Sequence, residues 1–408
     1  MRILMISSTF PYPPSRGGTE IRTFNLLQHL QIRHQVTVVT QRHPSVSEED
    51  VQALGDRIHD LQLFDLAPDP SQAGIAALVG KVQRFLTSLI SGTPPNVLHR
   101  YSPEMQQWID RQVEANGFDV ITCEHSVNAV YIRPAYRQTV RTVLNAHSLI
   151  YNWVLNHLEM DASDNVLRDR LYLSTIKRYE KRYAKQFSTV VVTTSDDQAA
   201  LTQICPDAAS TIVPNGVDLA LFPPRTKDPG GCNLVFVGAM DSSHNIDAVR
   251  FFVREVMPAL QADYPQTTLT IVGARPAAEV LELAQHFGIH VIGKVDSTAP
   301  YLHEAVACVV PLRAGFGIKN KTLEAMAAGV PVVGSDRGLE GLSVDDPDQP
   351  LRALRANQPQ EYVTAIRQLF ESPELRAQLS AEGRSLIEAT YTWNQAGCAY
   401  EKALSASA

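Results

Sequence analysis

Short apolar runs rich in β-branched residues alternate along this chain with segments of helical period, and that alternation constrains the fold more than any other feature. Arg2-Ile3-Leu4-Met5-Ile6, Gln35-Val36-Thr37-Val38-Val39, Asp119-Val120-Ile121-Thr122, Val140-Arg141-Thr142-Val143-Leu144 and Thr189-Val190-Val191-Val192 each read as a strand. Near-continuous apolar strands belong to parallel sheets covered by helices on both faces. Thr19–Leu30, between the first two, carries helix spacing. A second series starts at Asn233-Leu234-Val235-Phe236-Val237 and runs through helical Ile246–Leu260, strand Thr268–Val272, helix Ala277–Phe287, strand His290–Ile292, helix Pro300–Ala305 and strand Cys308-Val309-Val310. Such repetition gives a doubly wound α/β domain, and it occurs twice.

The break between the series falls at Val213-Pro214-Asn215-Gly216-Val217-Asp218 and a Pro- and Gly-rich stretch from Pro223 to Gly231. The expected organisation is a domain over 1–212, a hinge over 213–231, a second domain over 232–385 and a terminal helix over 386–408 that crosses back to the first. A length of 408 residues suits two domains. A net charge of −7 supplies no basic stripe for a nucleic acid. The five cysteines are scattered without a CxxC, which argues against a disulfide framework or a structural zinc and for a reducing, cytoplasmic setting. No run reaches membrane-span length, and Met1–Thr9 lacks the features of a signal peptide. The amphipathic stretch Ala76–Ile90 either packs on its own domain or docks peripherally on the inner face of the plasma membrane.

The first strand leads through a Pro-rich loop to Gly17-Gly18 and then a helix. Ligands bind doubly wound sheets at such loops, and two glycines let a backbone approach a phosphate or sugar, though the pair also reads as a flexible turn. No GxGxxG follows Ile6, which argues against a dinucleotide fold. Gly288-Ile289-His290-Val291-Ile292-Gly293-Lys294-Val295 almost spells a P-loop, but its middle is strand-like and Val295 has no hydroxyl for magnesium. Gly293-Lys294-Val295 remains a strand-end loop open to a nucleotide base.

The most informative segment runs from Pro311 to Val333. A Gly-containing loop leads to a helix that Asn320 is expected to cap, with Gly329 at its C′ position and Pro331 preventing continuation. Lys319 and Lys321 stand beside a positive helix N-terminus, an arrangement suited to a diphosphate, and Glu324 is placed to accept hydrogen bonds from ribose hydroxyls. A solvated helix start is the plain alternative.

Leu323-Glu324-Ala325-Met326-Ala327-x-Gly329-x-Pro331-Val332-Val333 resembles the nucleotide-sugar segment of the retaining glycosyltransferases of group 1, which have the GT-B fold. The resemblance extends to Val213–Asp218, Gly17-Gly18 and Val237-Gly238, and Gly317-Ile318-Lys319-Asn320-Lys321 is similar to a subgroup often associated with bacterial exopolysaccharide assembly. It implies two Rossmann-like domains facing each other across a cleft. It also implies transfer of a sugar from a nucleoside diphosphate sugar to a carbohydrate or lipid-linked acceptor hydroxyl, with no cofactor and no obligatory metal. By position, Gly293, Lys294 and Val295 would flank the base, Glu324 would bind ribose, Ile318 and Lys319 would meet the diphosphate, and Gly17 and Gly18 would face the donor phosphates and sugar. His147, after a strand, would lie near the donor sugar; His125 and Glu124 are weaker candidates.

Two departures stand out. Phe316 occupies the position eight residues before Glu324, where many relatives carry Glu, and the Arg and Lys that many relatives place after the Asn233–Val237 strand are absent. The leaving diphosphate still needs positive charge, which Lys319, Lys321 or Arg313 would supply, Lys319 foremost. With no dedicated nucleophile, attack on the face that the phosphate leaves is the expected route. The competing readings are a catalytically silent nucleotide-sugar-binding scaffold and a sugar-nucleotide epimerase.

Overall fold

The computed structural model describes residues 1–14, 17–66, 87–88, 90–159, 166–315 and 317–406. The stretch 76–90 lies largely, and Phe316 wholly, outside them. The chain forms two compact units, Met1–Pro214 together with Ala396–Ala408, and Asn215–Gln395. No helix among the described residues is long and apolar enough to cross a membrane.

In the first unit β1 (Arg2–Ser7), β2 (Gln35–Arg42), β3 (Asp60–Asp65), β4 (Val120–Glu124), β5 (Arg141–Asn145), β6 (Thr189–Val192) and β7 (Ser210–Ile212) form one sheet in the order 3-2-1-4-5-6-7. Every pairing is parallel. Ile3 lies beside both Val36 and Val120, and Ile3 to Ile6 are fully buried, as the unbroken apolar run requires.

The second unit repeats the plan with β8 (Asn233–Val237), β9 (Thr268–Val272), β10 (Ile289–Gly293), β11 (Ala307–Val310), β12 (Val332–Gly334) and β13 (Leu354–Arg355), ordered 10-9-8-11-12-13 and all parallel. Both sheets are doubly wound α/β layers of the Rossmann kind. In each, the strand order reverses beside the first strand, between β1 and β4 and between β8 and β11. The crevice outside the carboxyl ends of those pairs is where such a sheet receives a ligand.

Three elements differ locally from the sequence reading. The span expected as one helix over Ile246–Leu260 is a helix Ser243–Phe251, a π turn Phe252–Val256 and a helix Met257–Asp263. Pro258 has no amide for the Arg254 carbonyl and its ring crowds it, so the turn widens. The Ala277–Phe287 helix shortens to Ala278–Leu281 and a 3₁₀ turn Glu282–Gln285. The helix expected to be capped by Asn320 has Lys319 at its N-cap and no side-chain cap, with Asn320 its first residue. Its C-terminus follows expectation: Gly329 takes φ +69°, with Val330 N–H bonded to the Ala325 carbonyl and Gly329 N–H to that of Met326.

Candidate functional site

In the second unit, the helix Asn320–Ala327 starts beside the carboxyl ends of β8 and β11. Asn215, from the junction motif, donates to the Ile318 carbonyl at 3.4 Å and the Asn320 side chain at 3.2 Å, which fixes the loop entering this helix. Lys321 points inward. Its ammonium lies 4.2 Å from the Phe236 ring centroid and donates to Asn245 Oδ1. Burial pushes its pKa down to about 7, against the pull of Cys308 and Glu324. A Cβ on Gly238 would stand 2.7 Å from that ammonium, and a Cβ on Gly273 would stand 1.6 Å from the Gly238 carbonyl oxygen. Only glycine fits at 273, where the obstacle is backbone, whereas a Cβ at 238 would push aside the Lys321 and Asn245 side chains; Gly273 in turn donates its N–H to the Gly293 carbonyl. A strip of bare backbone thus crosses the ends of β8, β9 and β10 next to a lysine head.

Glu324 lies one turn further along. No donor among the described residues meets its carboxylate, and burial raises its pKa to about 7, with Lys321 opposing. Glu324 keeps part of its side chain exposed, and a partly desolvated carboxylate without hydrogen bonds bears a cost that a bound donor would relieve.

The other residues singled out in this unit have different settings. The Lys319 ammonium is held by the Gly317 carbonyl at 2.5 Å and by buried Glu340 at 3.3 Å. Arg313 pairs with Asp247 and stacks over Phe251 at the surface. Ile318 is buried in the hydrophobic core, so only its backbone is available to a ligand, and Val295 packs against that core while staying partly exposed. Lys294 is exposed, and Gly293 takes φ +83° at a bulge in the β9–β10 pairing.

In the first unit, polar side chains gather at the carboxyl ends of β4 and β5. Glu124, at the end of β4, is 1% exposed. Its Oε1 accepts from Tyr400 at 2.7 Å and from Thr122 at 3.3 Å; its Oε2 accepts from Asn145 Nδ2 at 2.7 Å and faces His147 Nε2 at 3.4 Å. Arg22, on the helix Gly18–Leu30, spans Asn145 Oδ1 and the carbonyls of Val213 and Pro214. Burial lowers its pKa to about 10, against the attraction of Glu124.

His147 keeps one-tenth of its side chain exposed, and burial holds its pKa below the usual imidazole range despite Glu124. The His125 ring lies 5.6 Å away, at a residue with φ +73°, and burial drives its pKa to about 3. Gly17 is extended, and a Cβ there would stand 2.9 Å from Glu20 Oε2, whereas one on Gly18 would meet no described residue within 4 Å.

Residues 16–221 match the family model described as Glycosyltransferase Family 4, and residues 231–372 match the one described as Glycosyl transferases group 1. The chain belongs to the family 4 glycosyltransferases of group 1. This glycosyltransferase is 20% identical, over 85% of its length and 86% of the relative's, to an uncharacterized 44.6 kDa protein in the cps region of Klebsiella pneumoniae. Its fold is shared with sucrose-phosphate synthase from Thermosynechococcus elongatus, at TM-score 0.66 and 19% identity over 99% and 98% of the two chains. It is shared too with Anabaena HepE, solved in complex with UDP, at TM-score 0.68 and 14% identity over 99% and 100%. These are GT-B architectures.

The sequence reading of this glycosyltransferase missed Asn245, Glu340, Arg22, Asn145 and Tyr400. Asn145 was within reach, standing two residues before His147 at a strand end. Nothing local marks Glu340 or Tyr400, whose partners are 21 and 276 residues away.

Proposed function

We propose that this glycosyltransferase moves a sugar from a nucleoside diphosphate sugar to an acceptor hydroxyl with retention at the anomeric carbon, in the assembly of a polysaccharide or glycolipid in the cytoplasm. The observation that carries the reading is the pairing, on one helix start, of the Lys321 ammonium beside the bare backbone of Gly238 with the Glu324 carboxylate one turn on, which meets no donor among the described residues. The diphosphate would draw on the lysine and lie against the side-chain-free backbone of Gly238 and Gly273, whose own amides bond the Val272 and Gly293 carbonyls, and the ribose hydroxyls would donate to Glu324. Lys321 takes the diphosphate role that the sequence reading gave foremost to Lys319, because Glu340 already neutralises Lys319. Gly293 and Lys294 would flank the base.

In the reaction, the bond from the anomeric carbon to the phosphate oxygen breaks and the bond to the acceptor oxygen forms on the same face. The leaving phosphate oxygen takes the acceptor proton, so no protein nucleophile and no obligatory metal enter. His147 would present Nδ1 to the donor sugar. The chain's part is positioning and charge stabilisation.

UDP is the first nucleotide to test, because HepE of the same fold is solved with it. In a thermal-shift panel of UDP, GDP, ADP and dTDP, one diphosphate should raise Tm, and Lys321→Ala and Glu324→Ala should each abolish the rise. No rise with any of them sinks the reading. Anomeric proton couplings of the product report retention, and full activity in EDTA reports independence from metal.

The pairing of Lys319 with Glu340 and of Arg313 with Asp247 favours a second reading, a nucleotide-sugar-binding scaffold without turnover. Tight donor binding with no nucleotide release across a panel of acceptors would mark it.

A further inference from the structure

The last helix of the chain, Trp393–Ser405, brings Tyr400 to the carboxyl end of β4, far in sequence from every motif discussed above. Tyr400 is fully buried. Its phenol donates to Glu124 Oε1 and touches the Thr122 hydroxyl. The other carboxylate oxygen of Glu124 receives the Asn145 amide and faces His147 Nε2. Each oxygen therefore has its own pair of partners, and the plane of the carboxylate is fixed from both sides.

That division decides what His147 can offer. A carboxylate only accepts, so the imidazole nitrogen facing it carries the proton, and Nδ1 is left as an acceptor. No described residue bonds Nδ1. The arrangement follows the logic of a carboxylate that holds a histidine in one tautomer, with a further group fixing the carboxylate. Here that further group comes from the far end of the chain.

We infer that Tyr400 is a positioning residue: through Glu124 it holds His147 in the Nε2–H tautomer, with Nδ1 presented as an acceptor. The functional consequence rests on the proposed role of His147 toward the donor sugar; the positioning itself does not. Without the phenol, Oε1 keeps only Thr122, and the carboxylate is free to turn toward that side. The imidazole then loses the acceptor that selects its tautomer. Arg22 acts on the other side of the carboxylate: its guanidinium bonds Asn145 Oδ1 and the carbonyls of Val213 and Pro214, and so orients the Asn145 amide that meets Oε2.

The test is long-range proton–nitrogen NMR on the full chain carrying ¹⁵N-histidine, with His147 assigned by the signal missing in His147→Gln. The wild-type ring should show the Nε2–H pattern, and Tyr400→Phe should convert it to a mixture of tautomers. Thr122→Val, which removes the other hydroxyl at Oε1 together with its contact to the phenol but keeps Tyr400 itself, should move the same signal in the same direction. An unchanged Nε2–H pattern in folded Tyr400→Phe overturns the inference. If that variant does not fold, an unchanged pattern in Thr122→Val overturns it.

Turnover is followed as UDP release from UDP-glucose, and the nucleotide site as UDP affinity. Tyr400→Phe should lower kcat by about 10- to 100-fold and leave UDP affinity as in the wild type, since the nucleotide residues belong to the other unit. A moved tautomer with undiminished UDP release upholds the positioning and counts against the proposed role of His147. Full UDP release by His147→Gln defeats that role alone.

Discussion

In the first unit the Glu124 carboxylate meets Tyr400, Thr122, Asn145 and His147, and the Arg22 guanidinium meets Asn145, Val213 and Pro214; in the second unit the Glu324 carboxylate meets no donor among the described residues. Both carboxylates stand near the switch point of a parallel sheet. One set is complete within the protein and fixes a geometry; the other bears a desolvation cost that a bound group can relieve. The contrast separates a residue that holds something in place from one that waits for a partner.

Breaking the complete set should cost most. Glu124→Ala strands the phenol, the Thr122 hydroxyl and the Asn145 amide, and urea unfolding should show a loss of about 3–5 kcal/mol. Gly273→Ala comes next. Its Cβ would overlap the backbone oxygen of Gly238, and the strand ends must part, for about 2–3 kcal/mol in the same measurement. Gly238→Ala displaces a side chain instead, so its main effect should be a loss of nucleotide affinity of about tenfold.

Relieving the incomplete set should have the opposite sign. The Glu324 pKa rises from 4.5 in the unfolded chain to about 7 in the fold. The folded state therefore binds its proton more tightly, and stability falls as pH climbs from about 4.5 to about 7. Glu324→Gln removes that fall. It should be more stable than wild type by about 1–2 kcal/mol above pH 7, with the gain vanishing below about pH 4.5. A series of Tm values against pH reads it directly. Smallest of all is Arg313→Ala, which breaks an ion pair whose side chains are 46% and 40% exposed and should change stability by less than about 1 kcal/mol.

The sequence made the layers legible because buried parallel strands advertise themselves. Thr189–Val192, Asn233–Val237 and Thr268–Val272 coincide with the strands read from their apolar runs. β3 escaped notice because it is half-exposed and begins and ends in Asp, and β13 because it is two residues long. At the site, the Asn320–Ala327 helix and its glycine cap were readable from Gly329 and Pro331, since caps are written in adjacent residues. Which lysine faces inward was not. Lys319 and Lys321 differ by two positions on a helix start, and the choice depends on Glu340 and on the space left by Gly238. Pairings between elements distant in the chain leave no local trace, and Tyr400 is the extreme case.

The placement of that tyrosine also bears on synthesis. Residues 1–214 leave the ribosome with Glu124, Thr122, Asn145 and Arg22 in hand, but the first unit's last segment, Ala396–Ala408, follows the whole of Asn215–Gln395. Translation of the intervening residues takes on the order of tens of seconds. Throughout that interval the nascent first unit carries a carboxylate that lacks its phenol. A chain cut short after Gln395 would keep every residue of its second unit and never close its first, so the first unit is finished only after the second has been made.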